Sequence, residues 1–218
     1  MRKVAKKRVA ILISGRGSNM AALIKAAKAK SFPATIALVV SNESAAEGLQ
    51  HARKARVPTA IVDHRPFGKN REKFERALHA ELEAHKIDLV CLAGFMRILT
   101  PWFVNRWNKK MLNIHPALLP AFKGLDTHAR ALAAGAKIHG VTVHFVVPEM
   151  DSGPIIAQAA IVVGENDTPA TLAARVIKQE HRIYPLALRW FVEDRLVIEN
   201  GIVRVKGNGA VQFLFGGE

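Results

Sequence analysis

The stretch "RVAILISGRGSNMAALIKAAKAK", residues 8–30, indicates the fold class of this 218-residue chain. It begins with a short, continuously apolar run, which is typical of a strand buried on both faces of a sheet. The glycine turn "GRG" follows, and the Ala, Leu and Ile spacing of "SNMAALIKAAKAK" predicts an amphipathic helix capped by Ser or Asn. The stretch therefore predicts a strand, a tight loop and a helix in succession.

The same alternation recurs through the first half of the chain. Three more apolar runs each precede a helical segment: "ATIALVVS" before "SAAEGLQHARKA", "PTAIVD" before "KNREKFERALHAELEAH", and "IDLVCLAG" before "TPWFVNRW". Apolar strands that alternate with helices indicate a parallel sheet covered on both faces. We predict an α/β fold whose first half is a doubly wound, mostly parallel sheet.

The second half has a different pattern. Two long β-like runs, "IHGVTVHFV" and "PIIAQAAIVV", are separated by "PEMDSG", which predicts an antiparallel pair added to the parallel core. A helix is expected from about Thr168 to Asp194, kinked or divided by Pro185. In the tail, "ENG" predicts a hairpin. Because there is no repeat, linker or clear boundary, we expect residues 1–218 to form a single domain with halves 1–110 and 111–195 and a tail 196–218.

Composition limits the class of protein. The single cysteine, Cys91, excludes a disulfide framework within the chain and suggests a reducing, cytoplasmic setting. No stretch approaches the roughly 18 consecutive apolar residues of a spanning helix, so we expect no membrane partner. The formal net charge of +14 is expected to attract anions such as phosphates, carboxylates or nucleic acid.

The segment "GRGSN", residues 15–19, lies between the first predicted strand and helix. Glycines allow a ligand to approach the backbone closely, and the first turn of a helix offers free N–H groups to an anion. The segment lacks the third glycine of a dinucleotide fingerprint and the Lys-Ser/Thr of a P-loop. It therefore suggests a monophosphate site, although a glycine turn that only connects strand to helix remains the alternative.

A polar pair interrupts the apolar segment "LNIHPALLP", residues 112–120. Side chains alternate along a strand, so Asn113 and His115 are expected on the same side. If the strand ends here, the pair lies where open α/β sheets place their ligands. Together they could stabilise an oxyanion. The competing interpretation is a pair that only satisfies local backbone groups.

The turn "PEMDSGPI" supplies a candidate carboxylate, Asp151. A carboxylate beside a histidine favours the imidazolium form and orients the ring. Asp-Ser-Gly is also ordinary turn chemistry, so the residues alone do not establish contact between Asp151 and His115. His139 and His144 have an odd spacing and no accompanying Cys or carboxylate cluster, so we predict no metal site.

Taken together and in this order, these segments resemble the glycinamide ribonucleotide branch of the formyltetrahydrofolate-dependent formyltransferase family. The resemblance runs from about Val9 to Arg195 and rests on "LISGRGSN", "LAGFMRIL", "LNIHPALLP", "GVTVHFV", "MDSGPII" and "QEHRIYP". It implies a Rossmann-like formyltransferase fold with a phosphate-binding first half and a catalytic, folate-binding second half. The implied reaction transfers a formyl group from 10-formyltetrahydrofolate to the amine of glycinamide ribonucleotide in purine biosynthesis.

The resemblance also implies residue roles. The implied catalytic residues are Asn113, His115 and Asp151. The substrate phosphate is held by Gly17, Ser18 and Asn19, and the ribose and glycinamide side by Glu180. The implied folate-binding residues are Arg71, Met96, Arg97, Ile98, Leu99 and Asn113, together with the turn around Asp151. The folate is a cosubstrate, and no metal is implied.

Three other functions compete with this one. A formyltetrahydrofolate hydrolase would share the catalytic residues but would not need the phosphate loop. An enzyme resembling methionyl-tRNA formyltransferase would need a further carboxy-terminal domain, for which the tail is too short. A basic nucleic-acid-binding module would predict aromatic residues among the basic ones, but the chain has one tyrosine. We expect the partners to be the nucleotide and the folate, with the chain a monomer or a homodimer.

Overall fold

The computed structural model describes residues 6–207 and 213–216. The chain divides into two compact units, Met1–Leu112 and Asn113–Glu218. The first unit holds β1 (Lys7–Ile13), α1 (Ser18–Ala27), β2 (Ala34–Ser41), α2 (Glu47–Lys54), β3 (Thr59–Ile61), a 3₁₀ turn (Arg65–Phe67), α3 (Arg71–Ala84), β4 (Leu89–Leu92), α4 (Pro101–Arg106) and the start of β5 (Met111–His115). The second unit holds the rest of β5, then α5 (Thr127–Ala133), β6 (Ile138–Phe145), β7 (Ile155–Val162), α6 (Pro169–Val192), β8 (Leu196–Glu199), β9 (Ile202–Val205) and β10 (Phe213–Gly216).

The strands of the first unit are parallel and follow the order β4-β1-β2-β3. Val9 and the next four residues of β1 are fully buried, as expected for a strand in the middle of a covered sheet. The N–H of Val90 donates to the carbonyl of Lys110 at 2.9 Å, which brings the start of β5 beside β4. The predicted α/β class, with its parallel strands and alternating helices, is confirmed.

Close backbone packing explains the glycine that precedes α1 and the glycine that it meets in α2. Gly17, the residue before α1, has a φ of 74°, in the left-handed region that favours glycine. A Cβ on Gly17 would lie 2.9 Å from the Cα of Gly48, and a Cβ on Gly48 would lie 2.6 Å from Ile13 Cδ1. The N–H of Gly48 donates to the carbonyl of Gly15 at 3.0 Å. The start of α2 therefore packs directly on this loop.

In the second unit the strand order is β5-β6-β7-β10. β6 and β7 pair antiparallel, with Thr142 opposite Gln158, and the register shifts between Val143 and His144. β10 pairs in parallel with β7. The predicted antiparallel addition is confirmed, whereas β10 is a strand that the sequence patterns did not predict.

Helix α6 is continuous over 24 residues, Pro169–Val192. The sequence predicts that Pro185 kinks or divides this helix. Pro185 lies inside the helix without ending it, so a division is wrong. Proline removes one backbone hydrogen bond of the helix. Tyr184, Ala187 and Leu188, which flank it, are all fully buried, and their packing keeps the helix intact.

The predicted hairpin in the tail is confirmed. β8 and β9 pair antiparallel, and the turn residues Asn200 and Gly201 have φ values of 51° and 78°. Positive φ at both central residues is the signature of the two-residue turn that matches the twist of paired strands.

Two other expectations concern the chain as a whole. The expectation that residues 1–218 form a single domain stays a prediction. The boundary between the two compact units falls between residues 112 and 113. Cys91 is fully buried. Within residues 6–207 and 213–216, no helix has both the length and the apolar character needed to cross a membrane.

We expect Gly17→Ala to lower the free energy of unfolding by about 2 kcal/mol, because alanine is strained at this φ and its Cβ would meet the backbone of Gly48. Gly15→Ala in the same loop is the matched control. A Cβ there would have no atom within 4 Å, and we expect a change within about 0.5 kcal/mol. Urea denaturation measures both, and equal stabilities would contradict this explanation of the loop.

Candidate active site

The loop after β5 is held in place by two polar side chains of the neighbouring strands. Thr142 Oγ1 accepts a hydrogen bond from the N–H of Leu119 at 3.0 Å and donates to the carbonyl of Ala117 at 2.7 Å. Gln158 Nε2 donates to the carbonyl of Leu119 at 2.9 Å and to Thr142 Oγ1 at 3.0 Å. This pair from β6 and β7 fixes the chain that leaves the end of β5.

Asn113, on β5, lies next to His144, on β6. The distance between Asn113 Nδ2 and His144 Nε2 is 3.2 Å, and His144 Nδ1 lies 2.8 Å from the carbonyl of Phe145. A carbonyl only accepts, so His144 carries its proton on Nδ1 and leaves Nε2 bare. Nε2 therefore accepts one N–H of the Asn113 amide. The second N–H of that amide remains to serve as a donor.

Burial keeps His144 neutral. The residue is 2% exposed, and burial lowers the pKa of His144, although the hydrogen bond to Phe145 and the charge of Asp151 act in the opposite direction. Asp151 Oδ1 lies 3.8 Å from His144 Nε2. The bare Nε2 thus accepts a hydrogen bond from the Asn113 amide and orients that amide. Because the ring is neutral, it adds no positive charge of its own.

His115 contacts an acceptor through each ring nitrogen. Its Nε2 donates to the carbonyl of Phe122 at 2.9 Å, and its Nδ1 lies 3.4 Å from Asp151 Oδ2. A ring protonated on both nitrogens satisfies both neighbours. The side chains of His115 and Asp151 are 6% and 10% exposed, so their attraction is weakly screened by water.

A hydrogen bond from the loop that follows β5 fixes the position of Asp151. The N–H of Gly124 donates to Asp151 Oδ2 at 2.8 Å, and Lys123 Nζ donates to Ser152 Oγ at 2.7 Å. The backbone of Asp151 has a φ of 48°, which is uncommon for a residue other than glycine. The turn between β6 and β7 is thus held by the loop beside His115.

Two further histidines lie in the same unit. His128 Nδ1 and His139 Nε2 are 3.1 Å apart, so one ring donates to the other. Burial, followed by the nearby His128, lowers the pKa of His139 to about 4. Burial also lowers the pKa of His128, with a smaller contribution from His115. These rings are neutral near pH 7.

In the first unit, the predicted phosphate residues occupy the beginning of α1. Gly17 precedes the helix, and Ser18 and Asn19 are its first two residues. The first N–H groups of a helix have no acceptor within the helix, and α1 has no acidic residue in its first turn. An anion at this position would meet donors and positive potential without a competing carboxylate from that turn.

Residues 96–99, the predicted folate loop, follow β4 and are attached to the end of β1. The N–H of Met96 donates to Ser14 Oγ at 2.7 Å, and Ser14 Oγ donates to Asn42 Oδ1 at 2.5 Å. Met96 and Ile98 are 66% and 67% exposed. Two large apolar side chains of this loop are therefore accessible to a ligand.

The predicted site residues are distributed over both units. The structure brings Asn113, His115 and Asp151 together within the second unit, where Glu180 lies on α6 and is 9% exposed. The other predicted residues belong to the first unit, at the beginning of α1 (Gly17, Ser18, Asn19), at the first position of α3 (Arg71) and after β4 (Met96, Arg97, Ile98, Leu99). Their roles stay predictions.

No metal centre is found in the described part of the chain, where no three His, Cys, Asp or Glu residues are arranged to hold an ion. Sequence reasoning considered His144 only as a metal ligand and so missed its contact with Asn113. That contact depends on the pairing of β5 with β6, which local patterns do not reveal. The available signal was a polar residue within the apolar run "VTVHF", because buried polar groups usually have a specific partner.

Known proteins provide an independent comparison. Residues 7–188 match the family model described as formyl transferase. The chain is 43% identical over 199 residues to the phosphoribosylglycinamide formyltransferase of Escherichia coli (strain K12). The aligned residues cover 91% of this chain and 93% of that protein. A crystal structure of glycinamide ribonucleotide transformylase 1 from Symbiobacterium toebii superimposes with a TM-score of 0.90 at 43% identity, covering 93% of this chain and 95% of the other.

A longer protein is also similar. The trifunctional purine biosynthetic protein adenosine-3 of Homo sapiens is 47% identical over 206 residues, which cover 94% of this chain. The matched segment is 20% of that protein, so the chain spans about a fifth of its length.

The low pKa of His139 predicts a pH-dependent stability. The unfolded chain binds a proton at His139 below about pH 6.5, whereas the folded chain does so only near pH 4. The free energy of unfolding therefore falls as the pH is lowered through this window, by about 3 kcal/mol from this residue. Burial lowers the pKa values of His128, His144 and His181 as well, so these residues contribute with the same sign.

Urea denaturation between pH 4 and 7 tests this prediction. We expect the pH dependence of His139→Gln to be smaller than that of the unsubstituted protein. The exposed His51→Gln is the matched control and should keep the full dependence. Identical profiles for His139→Gln and the unsubstituted protein would contradict the assignment.

Proposed function

The chain belongs to the formyl transferase family, and we propose that it transfers the formyl group of 10-formyltetrahydrofolate to the amine of glycinamide ribonucleotide. The reaction type is supported by the convergence of Asn113, His115 and Asp151. The acceptor is suggested by the names of the relatives that match over most of their length. The family's formyl-folate chemistry supports the donor.

Asn113 is the proposed donor to the developing oxyanion. When the amine attacks the formyl carbon, a C–N bond forms and the carbonyl electron pair moves onto the formyl oxygen. One N–H of the Asn113 amide is used by His144, and the other is free to donate to that oxygen. A donor oriented before the reaction stabilises this charge without reorganisation, which is the largest contribution in many acyl transfers.

His115 is the proposed source of positive charge and of a proton. Asp151 Oδ2 lies 3.4 Å from its Nδ1, so the carboxylate accepts from an Nδ1–H and orients the ring next to the oxyanion. The Nε2–H of His115 points to the carbonyl of Phe122, so it donates to substrate only when that hydrogen bond opens. As the intermediate collapses, the bond to the folate nitrogen breaks and that nitrogen takes a proton. The proton comes from His115 or from a water ordered by Asp151, while the attacking ammonium loses one.

The first unit supplies most of the proposed binding residues. The substrate phosphate would accept hydrogen bonds at Gly17, Ser18 and Asn19, where the start of α1 favours an anion. The folate would contact Arg71 and residues 96–99, whose exposed apolar side chains suit a flat ring. Glu180 is assigned to the ribose and glycinamide side of the nucleotide. These anionic ligands agree with the net charge of +14.

A folate assay with and without nucleotide tests the function. We expect the protein to release tetrahydrofolate from 10-formyltetrahydrofolate only when glycinamide ribonucleotide is present, because the amine is the attacking group. Absorbance follows the folate product, and mass spectrometry identifies the formylated nucleotide. Folate turnover at the same rate without the nucleotide would instead establish the hydrolase reaction.

Removing Asn113 or His115 should slow the chemistry. We expect Asn113→Ala and His115→Ala each to lower kcat by about 100-fold or more, because the first variant loses the preorganised donor to the oxyanion and the second loses the proposed source of positive charge and of a proton. Steady-state kinetics with both substrates measure this. The exposed His51→Ala is the control and should keep the kcat of the unsubstituted protein. A kcat retained by both site variants would exclude the proposed mechanism.

A further inference from the structure

The chemistry described so far leaves one buried carboxylate unused, that of Glu75 on α3. Glu75 is 1% exposed, and burying a carboxylate is unfavourable unless hydrogen bonds compensate it. The N–H of Thr100 donates to Glu75 Oε1 at 2.6 Å, and Thr100 Oγ1 donates to Glu75 Oε2. Both carboxylate oxygens therefore bind a single residue.

Thr100 directly follows the folate loop, residues 96–99. The other end of this loop is attached as well, because the N–H of Met96 donates to Ser14 Oγ at 2.7 Å. Glu75 and Ser14 thus hold the two ends of the same four residues. Between these attachments, Met96 and Ile98 keep about two thirds of their surface exposed.

The position of Glu75 also connects the loop to Arg71. Arg71 lies four residues earlier on α3, one helical turn away. Burial raises the pKa of Glu75, and the hydrogen bonds from Thr100 and the charge of Arg71 oppose that increase. A single carboxylate therefore interacts with the loop through Thr100 and with the arginine through its charge.

A helix-capping role explains only part of this arrangement. Thr100 precedes α4, so its N–H needs an acceptor outside that helix's first turn. A neutral acceptor would satisfy that single N–H at a smaller desolvation penalty than a carboxylate. The carboxylate also accepts the hydroxyl, and the two bonds together fix the backbone and the side chain of Thr100 at once.

We propose that Glu75 is a positioning residue which, through Thr100, holds residues 96–99 in the conformation that binds the ring of the reduced folate. This inference rests on the proposed function, since it assigns the loop to the folate. A loop fixed at both ends loses less conformational entropy when a ligand binds, so the attachment raises affinity for the folate. It has no expected effect on the affinity for the nucleotide.

Steady-state kinetics of Glu75→Gln and Thr100→Val test the inference. Thr100→Val removes the hydroxyl that donates to Glu75, and Glu75→Gln replaces one acceptor oxygen with an amide nitrogen, which only donates. For each variant we expect KM for 10-formyltetrahydrofolate to rise about tenfold. KM for glycinamide ribonucleotide and kcat should change by less than about twofold. Thr100→Ser keeps the hydroxyl and should restore the folate KM. Glu83→Gln makes the same chemical change at an exposed position of α3 and is the matched control.

Thermal denaturation distinguishes a positioning role of Glu75 from a role limited to capping α4. A lower melting temperature of Glu75→Gln and Thr100→Val with an unchanged folate KM would overturn the inference, and so would equal increases in both KM values. If Glu75→Gln does not fold, Thr100→Val and Thr100→Ser give the same comparison with the carboxylate intact.

Direct binding distinguishes this inference from the proposed function. Calorimetry with 5-formyltetrahydrofolate, a stable reduced folate, requires no turnover. If the unsubstituted protein binds it but does not formylate the nucleotide, the proposed function fails, and weaker binding by Thr100→Val than by Thr100→Ser would still support the inference. Equal binding by these two variants, or no binding by the unsubstituted protein, would overturn it.

Discussion

The hydrogen bond from His144 Nδ1 to the carbonyl of Phe145 determines how the polar end of β5 can act. It places the ring proton on Nδ1, so Nε2 must accept from Asn113. Were the tautomer reversed, Nε2 would donate, and the amide of Asn113 would have to present its oxygen to His144. The amide nitrogen, the only part of Asn113 that can stabilise an oxyanion, is oriented by this one backbone contact.

In the proposed mechanism, two histidines near this contact have different electrostatic roles. His144 is deeply buried and neutral, and it serves to orient an amide. His115 lies against the carboxylate of Asp151 and can carry the positive charge. Asp151 is held by the N–H of Gly124, from the loop that begins at the prolines after β5. The segment "LNIHPALLP" thus contains both the polar pair and the beginning of the loop that holds Asp151.

Patterns of residues predicted much of this arrangement. The apolar runs predicted the parallel strands. The alternation of side chains along a strand predicted that Asn113 and His115 lie on the same side of β5. Local patterns could not show that His144 pairs with Asn113 or that Asp151 reaches His115, because both contacts depend on strands and turns distant along the chain. Pro185 does not divide α6, since burial of its neighbours outweighs the missing hydrogen bond. β10 is short and joins β7 from the far end of the chain.

The protonation state of His144 is the most direct test of this account. Nitrogen-15 NMR of the histidine rings, with His144 assigned by the loss of its signals in His144→Gln, reports which nitrogen carries the proton. We predict protonated Nδ1 and bare Nε2, unchanged from about pH 7 to pH 8, because burial lowers the pKa of His144 below its ordinary value of 6.5. A proton on Nε2, or a ring that titrates within that range, would contradict the proposed orientation of Asn113.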